Sequence, residues 1–168
     1  AACKLYGHFD RSHGEDLFEG EYDGVAIRFS EFKAEEKHQT TTKNGTRTTW
    51  VTIFKGTIFV GDFKKDFHAR TYVLPDRAES LLGQSLGGFF QKIGNFGSGR
   101  GAMARLEDPE FEKRFVVFTE DQVEARYILA PNLMSSMNAM YDRYGGGIGF
   151  AFLDSKVYIT LPSDTNRF

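Results

Sequence analysis

The residues that could do chemistry here are four histidines, scattered carboxylates and two glycine-rich runs. His8 and His13 lie five residues apart, with Asp10, Glu15 and Asp16 around them. These are metal-binding types, but no rigid element would hold them and no cysteine joins them. Solvated surface histidine is the plainer reading, and no metal is expected. His38 and His68 stand among polar residues without a Ser or Cys partner in a nucleophile motif. Glu31 with Glu35 and Glu36, or Glu107 with Asp108, could pair as acid and base. Paired carboxylates are catalytic only when a cleft sets their separation and pKa values, and charged strand edges use the same residues against aggregation. A hydrolase-type acid/base site could draw on Glu31, Asp62, Asp66, Glu124 and Arg126 if the fold brings them together. Glu124 and Arg126 equally fit a helix start with a weak surface ion pair. The catalytic residues, if any, are therefore unknown from sequence.

Gly94 to Gly101 (Gly-Asn-Phe-Gly-Ser-Gly-Arg-Gly) invites a phosphate-loop reading, with Arg100 near an anion. A phosphate loop needs fixed glycine spacing, a Lys-Ser/Thr pair, a strand before and a helix after. This run follows a predicted helix and lacks the lysine, so it reads as a connector. Gly145-Gly-Gly-Ile-Gly149 fails the same test and reads as a helix stop. No cofactor is expected. Met134, Met137 and Met140 recur at helical spacing, which suits a core face better than an adaptable binding surface.

The elements that must position these groups are mainly strands. Aromatic residues beside Gly or a charge recur in short runs, among them 17 Phe in 168 residues, and such alternation builds sheets. Asp16 to Tyr22 reads as a strand, Asp23-Gly24 as a hairpin turn, and Val25, Ile27 and Phe29 as the buried face of the next strand. Phe32 breaks that phase, which predicts a bulge near Ser30 or Glu31. Lys33 to Thr42 is polar and leads to a second turn at Asn44-Gly45. Thr46 to Phe63 carries the strongest strand signal, with Gly56 and Gly61 as a bulge, a bend or the ends of separate strands. Thr71 to Leu74 is another strand, stopped by Pro75. Asp76 and Glu79 open a predicted helix with Leu82, Leu86, Phe89, Phe90 and Ile93 on one face. Arg114 to Thr119 is a compact buried strand, with Phe115 and Phe118 as core. Thr119-Glu-Asp-Gln122 is a capping-box pattern for a short helix through Tyr127. Pro131 opens a helix that runs to Tyr144. Ile148 to Leu153 and Lys156 to Leu161 form a final hairpin around Asp154-Ser155.

The totals bound the function. The chain is long enough for one domain with a real core. With 21 basic and 23 acidic residues, the net charge is −2, which argues against a dedicated nucleic-acid binder. The single cysteine, Cys3, permits no internal disulfide. Ala1-Ala2-Cys3 is like the end of a lipoprotein processing site, but processing would have removed both alanines, so a frayed terminus or expression remnant is the simpler reading. No stretch approaches the ~20 apolar residues that span a bilayer. The chain is expected to be a soluble piece of a longer protein.

Several runs together resemble a bacterial family catalogued as domain of unknown function 3137. They are Gly14-Glu-Asp-Leu-Phe-Glu-Gly20, Phe29-Ser-Glu-Phe32, Ile53-Phe-Lys-Gly56, Asp62-Phe-Lys-Lys-Asp-Phe67 with Thr71-Tyr-Val-Leu-Pro75, and Leu106-Glu-Asp-Pro-Glu-Phe111. The most specific is Phe115-Val-Val-Phe-Thr-Glu-Asp-Gln-Val-Glu-Ala-Arg-Tyr-Ile-Leu129. The resemblance covers about Gly14 to Leu161. It implies a soluble domain carried behind membrane-spanning segments, on the cytoplasmic side of the bacterial inner membrane, and it carries over no activity.

Strands in runs with helices grouped later predict an α+β fold: a mostly antiparallel sheet from Asp16 to Leu74 and a C-terminal hairpin, packed on helices near 76–93 and 131–144. Residues 1–13 are expected to be a flexible segment, 14–162 one domain, and 163–168 a tail. Two functions remain open. One is a non-catalytic module for a protein partner, contacting it through the Gly94–Gly101 loop or the Thr40 to Thr46 tip, where a solvated turn is the plainer alternative. The other is an enzyme using the acid/base residues above. A contiguous exposed apolar patch favours the first, and a pocket with convergent titratable groups the second. Oligomeric state is left unassigned.

Overall fold

The computed structural model describes residues 5, 9–43, 45–76 and 101–163. Turn chemistry sets its backbone. Asp23 and Gly24 take φ of 49° and 68°, the two positive values a type I′ turn requires. They join β1 (Arg11–Tyr22) to β2 (Val25–Thr42), with Tyr22 opposite Val25. Asp154 and Ser155, at φ 48° and 62°, do the same for β7 (Gly149–Leu153) and β8 (Lys156–Pro162). β3 (Gly45–Asp62) pairs with β2 out to Thr42 opposite Gly45, so Gly45 belongs to the strand and not to the turn. β4 (Thr71–Pro75), β5 (Ala102–Ala104) and β6 (Phe115–Thr119) complete one sheet in the order β1-β2-β3-β8-β7-β4-β6-β5. Every pairing is antiparallel.

Among the described residues three helices accompany it. α1 (Pro109–Glu112) is capped by Asp108, α2 (Gln122–Ile128) by Asp121, and α3 (Pro131–Tyr144) opens on Pro131 and stops at Gly145, whose φ is 86°. The cap of α2 is therefore Asp121 and not Thr119. The Asp121 carboxylate accepts from Val123 N at 2.8 Å and Glu124 N at 3.1 Å, while Thr119 Oγ1 accepts from Asp121 N. Met134 and Met137 are buried and Met140 packs beside them, so the methionine stripe is core.

The main core lies between one sheet face and these helices: Phe111, Ile128, Leu129, Met134 and Met137 against Val73, Phe115, Val117, Phe150 and Phe152. Phe115 stacks near Phe111, Tyr141 and Phe150 with centroids 4.9, 5.4 and 5.8 Å away. The opposite face holds a smaller cluster of Leu5, Tyr72, Phe118, Ala151 and Leu153. Phe115 and Phe118 are thus both buried, on opposite faces, as alternation in a strand demands.

The α+β expectation is corrected. Of the described residues 56% are in strands and 19% in helices, a β-rich fold built on one eight-stranded sheet. The difference comes from Lys33 to Thr42, which lies inside a strand of 18 residues. Only Ala34 and Glu35 at its base are buried; from Lys37 to Thr42 both faces are exposed, so no apolar alternation marks it. The expected helix from 76 to 93 falls outside the described residues beyond Asp76, as do His8, Cys3 and the run 94–100. Two further corrections concern β-bulges. The extra residue sits in β1, where Asp16 (φ 50°) and Leu17 oppose Ser30, so β2 stays in phase. Phe32 belongs to the other face, where it packs against Phe9 and Phe54 at 6.1 and 6.4 Å. Gly56 breaks nothing; a Cβ there would lie 2.1 Å from the Leu161 carbonyl oxygen, so glycine lets β8 pass close to β3. Among the described residues no helix is long and apolar enough to cross a membrane.

Candidate interaction surface

Pairing registers trace one row across the whole sheet: Phe18, Phe29, Phe59, Ile159, Phe150, Val73, Val117 and Ala104. Directly opposed residues share a face, so this row is the core face at every strand. The helices cover it from β8 to β5. Toward β1 it runs out from under them. Phe59 is half-buried, Phe29 is 38% exposed and Phe18 is 55% exposed. The Phe18 and Phe29 rings stack in the open at 4.9 Å and 14°. Tyr22, at 75% exposure, continues that face along β1, while Leu17, at 67%, is exposed on the opposite face. Contiguous exposed aromatic surface of this kind marks contact sites more often than isolated apolar residues do.

β1 is the terminal strand, and Glu15, Asp16, Glu19 and Glu21 make its border acidic. Glu19 is met by Arg28 across the strand pair at 2.8 Å. Glu15 lies opposite Glu31, an unfavourable like-charge pair.

At the other end of β1 an ion cluster fixes the base of a projecting arm. Glu35 is buried and takes Arg11 Nε at 2.7 Å and Lys33 Nζ at 2.8 Å. The Arg11 hydrogen bond, then that from Lys33, hold its carboxyl down at about 2. The Arg11 guanidinium lies 3.9 Å over the Trp50 ring. Asp10 accepts from the Lys37 amide at 2.7 Å and its own amide donates to the Glu35 carbonyl at 3.0 Å, so the incoming chain grips β2 at the arm's base. Beyond it, residues 36–42 of β2 and 45–51 of β3 pair only with each other, past Arg11 of β1 and Pro162 of β8. This ribbon extends about 20 Å. Its threonines and Lys37, Lys43 and Arg47 are exposed, which places the Thr40 to Thr46 tip at the end of a solvated arm.

The sequence-derived acid/base residues are not assembled into a catalytic group. Asp62 accepts from the Lys64 amide at 2.9 Å, and Asp66 accepts from Ser155 Oγ. Glu124 takes the His68 and Ala69 amides at 2.9 and 2.7 Å, so it staples the 63–70 loop to α2. Arg126 donates to the backbone carbonyls of Gln122 and Arg105. Glu31 is exposed on β2 opposite Thr57, five residues along β3 from Asp62 and roughly 17 Å from it. His13 is exposed opposite Lys33, and His38 Nε2 lies 3.3 Å from Glu36. Among the described residues no three His, Cys, Asp or Glu side chains converge to hold a metal. An open depression of about 560 Å³ lies beside α2 and α3, lined by Phe63, Lys65, Tyr127, Asn132 and Ser136. Lys65 Nζ sits 3.3 Å over the Tyr127 ring there.

Sequence reasoning alone missed the hairpin surface. Its signal was present in Leu17-Phe-Glu-Gly-Glu-Tyr22, where aromatic and acidic residues alternate. Which face a strand presents to solvent is set by where the helices end, and that is not local information.

No curated protein and no solved structure matches the chain. A family model does match, over residues 52–168, from Thr52 of β3, inward of the arm, through β8. The earlier runs at Gly14 to Gly20 and Phe29 to Phe32, and with them β1 and β2, lie outside that match. The match covers most of the chain, and the chain belongs to the family described as protein of unknown function (DUF3137).

Proposed function

We propose that this domain is a non-catalytic protein-interaction module whose contact surface is the outer hairpin β1–β2. The carrying observation is the aromatic row that continues past its covering helices to the exposed, stacked Phe18 and Phe29. Leaving two phenylalanines and Tyr22 in water on one face forgoes burial energy that the fold could otherwise use. A partner that covers them recovers it. The Glu35 cluster and the bulge at Asp16 give this hairpin a fixed shape, which lowers the ordering cost of binding. The commitment of Asp62, Asp66 and Glu124 to loop hydrogen bonds supports the non-catalytic reading. The resemblance to proteins with membrane-spanning segments supports placing the module on the cytoplasmic side of a bacterial inner membrane.

Site-specific photocrosslinking in the native cells tests the surface. A photoreactive residue replaces Tyr22, and another replaces Val123, which is 77% exposed on α2. Discrete adducts from position 22 that are absent at position 123 are expected. Identical adducts from both positions, or none from 22, would refute the assignment.

A further inference from the structure

The hairpin also points to a mode of recognition. This inference rests on the preceding reading of β1–β2 as the contact surface. In a two-residue hairpin the residues flanking the turn, Tyr22 and Val25, are the hydrogen-bonded pair. Antiparallel pairs then alternate. Gly20 with Ile27 and Phe18 with Phe29 bond inward, and the amides and carbonyls of Glu19 and Glu21 point away from β2. Because β1 is terminal, these groups find no strand among the described residues. The edge thus offers two residues' worth of ladder, flanked by two chemically different faces. Phe18, Gly20 and Tyr22 lie on the aromatic face, and Glu19 and Glu21 on the acidic one.

We propose that the free edge of β1 receives an extended segment of a partner protein by strand addition, in which apolar residues alternate with lysine or arginine. The fold already contains the template. On its inner side β1 is paired by Val25-Ala-Ile-Arg-Phe29, whose Val25, Ile27 and Phe29 lie opposite Tyr22, Gly20 and Phe18. Arg28 of the same run bonds Glu19 at 2.8 Å. A second strand of this pattern fits the outer side equally, because the side chains of β1 present the same two faces to both neighbours. Glu21 has no cation partner among the described residues and supplies the unmatched charge. A second copy of this chain is disfavoured as the occupant. Pairing β1 with β1 would bring Glu15, Asp16, Glu19 and Glu21 of each copy together, and like charges on adjacent strands repel.

The test uses the whole 168-residue chain and a fluorescent peptide of the pattern Val-Arg-Ile-Arg-Phe-Arg-Val. A control peptide has glutamate for each arginine. Fluorescence polarisation is expected to show binding of the first peptide, weakened by salt, and none of the second. Hydrogen exchange by NMR is expected to slow at the Glu19 and Glu21 amides when the first peptide is added. Glu21→Pro removes an outward amide without touching the inner ladder, and a loss of about tenfold in affinity is expected. Glu21→Gln keeps that amide and is expected to lose clearly less. Equal binding of the two peptides, or unchanged exchange at both amides in the unmodified protein, would overturn strand addition, whether or not the proline variant folds. Crosslinks specific to position 22 with no such protection would leave the contact surface standing and reject only this mode.

Discussion

Replacing Phe150, Phe29 and Phe18 by alanine, one at a time, separates folding from binding. The three occupy the same row of the same sheet face and differ in cover. Phe150 is buried against Phe115 and the helices. Its loss removes the full transfer energy and leaves a cavity, costing about 3–5 kcal/mol. Phe29 is 38% exposed, so roughly 60% of a transfer energy of up to ~3 kcal/mol applies and no closed cavity forms, giving about 2 kcal/mol. Phe18 is 55% exposed, and the same reasoning gives about 1.3 kcal/mol. Losing the stacked pair adds about 0.5–1 kcal/mol to either outer substitution. Urea denaturation of the purified chain, with m-values held equal, measures all three. If Phe18→Ala costs as much as Phe150→Ala, the ring is covered in solution and belongs to the folded core. The interaction surface would then be wrong. A cost at Phe18 that rises with protein concentration would identify a second copy as the cover.

Other consequences can be checked on the same purified protein. Glu35 titrates near 2 in the fold against an ordinary 4.5, so its stabilisation is complete above about 4.5 and fades as pH falls toward 2. The urea midpoints of the native chain and Glu35→Gln should converge over that window; a constant gap between pH 5 and 2.5 would remove the charge argument. Glu124→Gln retains one acceptor for the two loop amides and turns an NH₂ toward the other, which should cost about 1–3 kcal/mol and speed exchange at His68 and Ala69. No change in either quantity would mean that the 63–70 loop is held otherwise. Gly56→Ala places a Cβ against the Leu161 carbonyl and should cost more than about 1 kcal/mol by prying β8 from β3. Unchanged thermal stability would show that β8 does not run so close.

The extent to which this molecule is legible from its residues differs element by element. The turn at Asp23-Gly24, the helix from Pro131 to Tyr144, the buried Phe115-to-Thr119 strand and the C-terminal hairpin all follow from local rules: left-handed turn residues, proline at a helix start, periodicity. Those rules act within a few residues of chain. The arm shows where they stop. Lys33 to Thr42 has no apolar alternation, and its strand state comes from a cross-strand register in which Thr41 meets Thr46, Gln39 meets Thr48 and Lys37 meets Trp50. The threonine density on both sides was the available clue, since β-branched residues favour extended backbone. Glu124 shows the same limit in chemistry. Its sequence context is a helix start, yet its carboxylate serves a loop that is 55 residues away in sequence.

The sequence by itself determined the turns at Asp23-Gly24 and Asp154-Ser155, most strands, the helix from Pro131 to Tyr144, the family and the near-neutral charge, because each rests on neighbouring residues or on composition. Only the tertiary structure decided that one antiparallel sheet dominates, that Phe18 and Phe29 lie beyond the helical cover, and that Arg11, Lys33, Glu35 and Trp50 meet. Those facts depend on contacts between residues far apart in the chain, and a side chain's chemistry is set by what the fold places beside it.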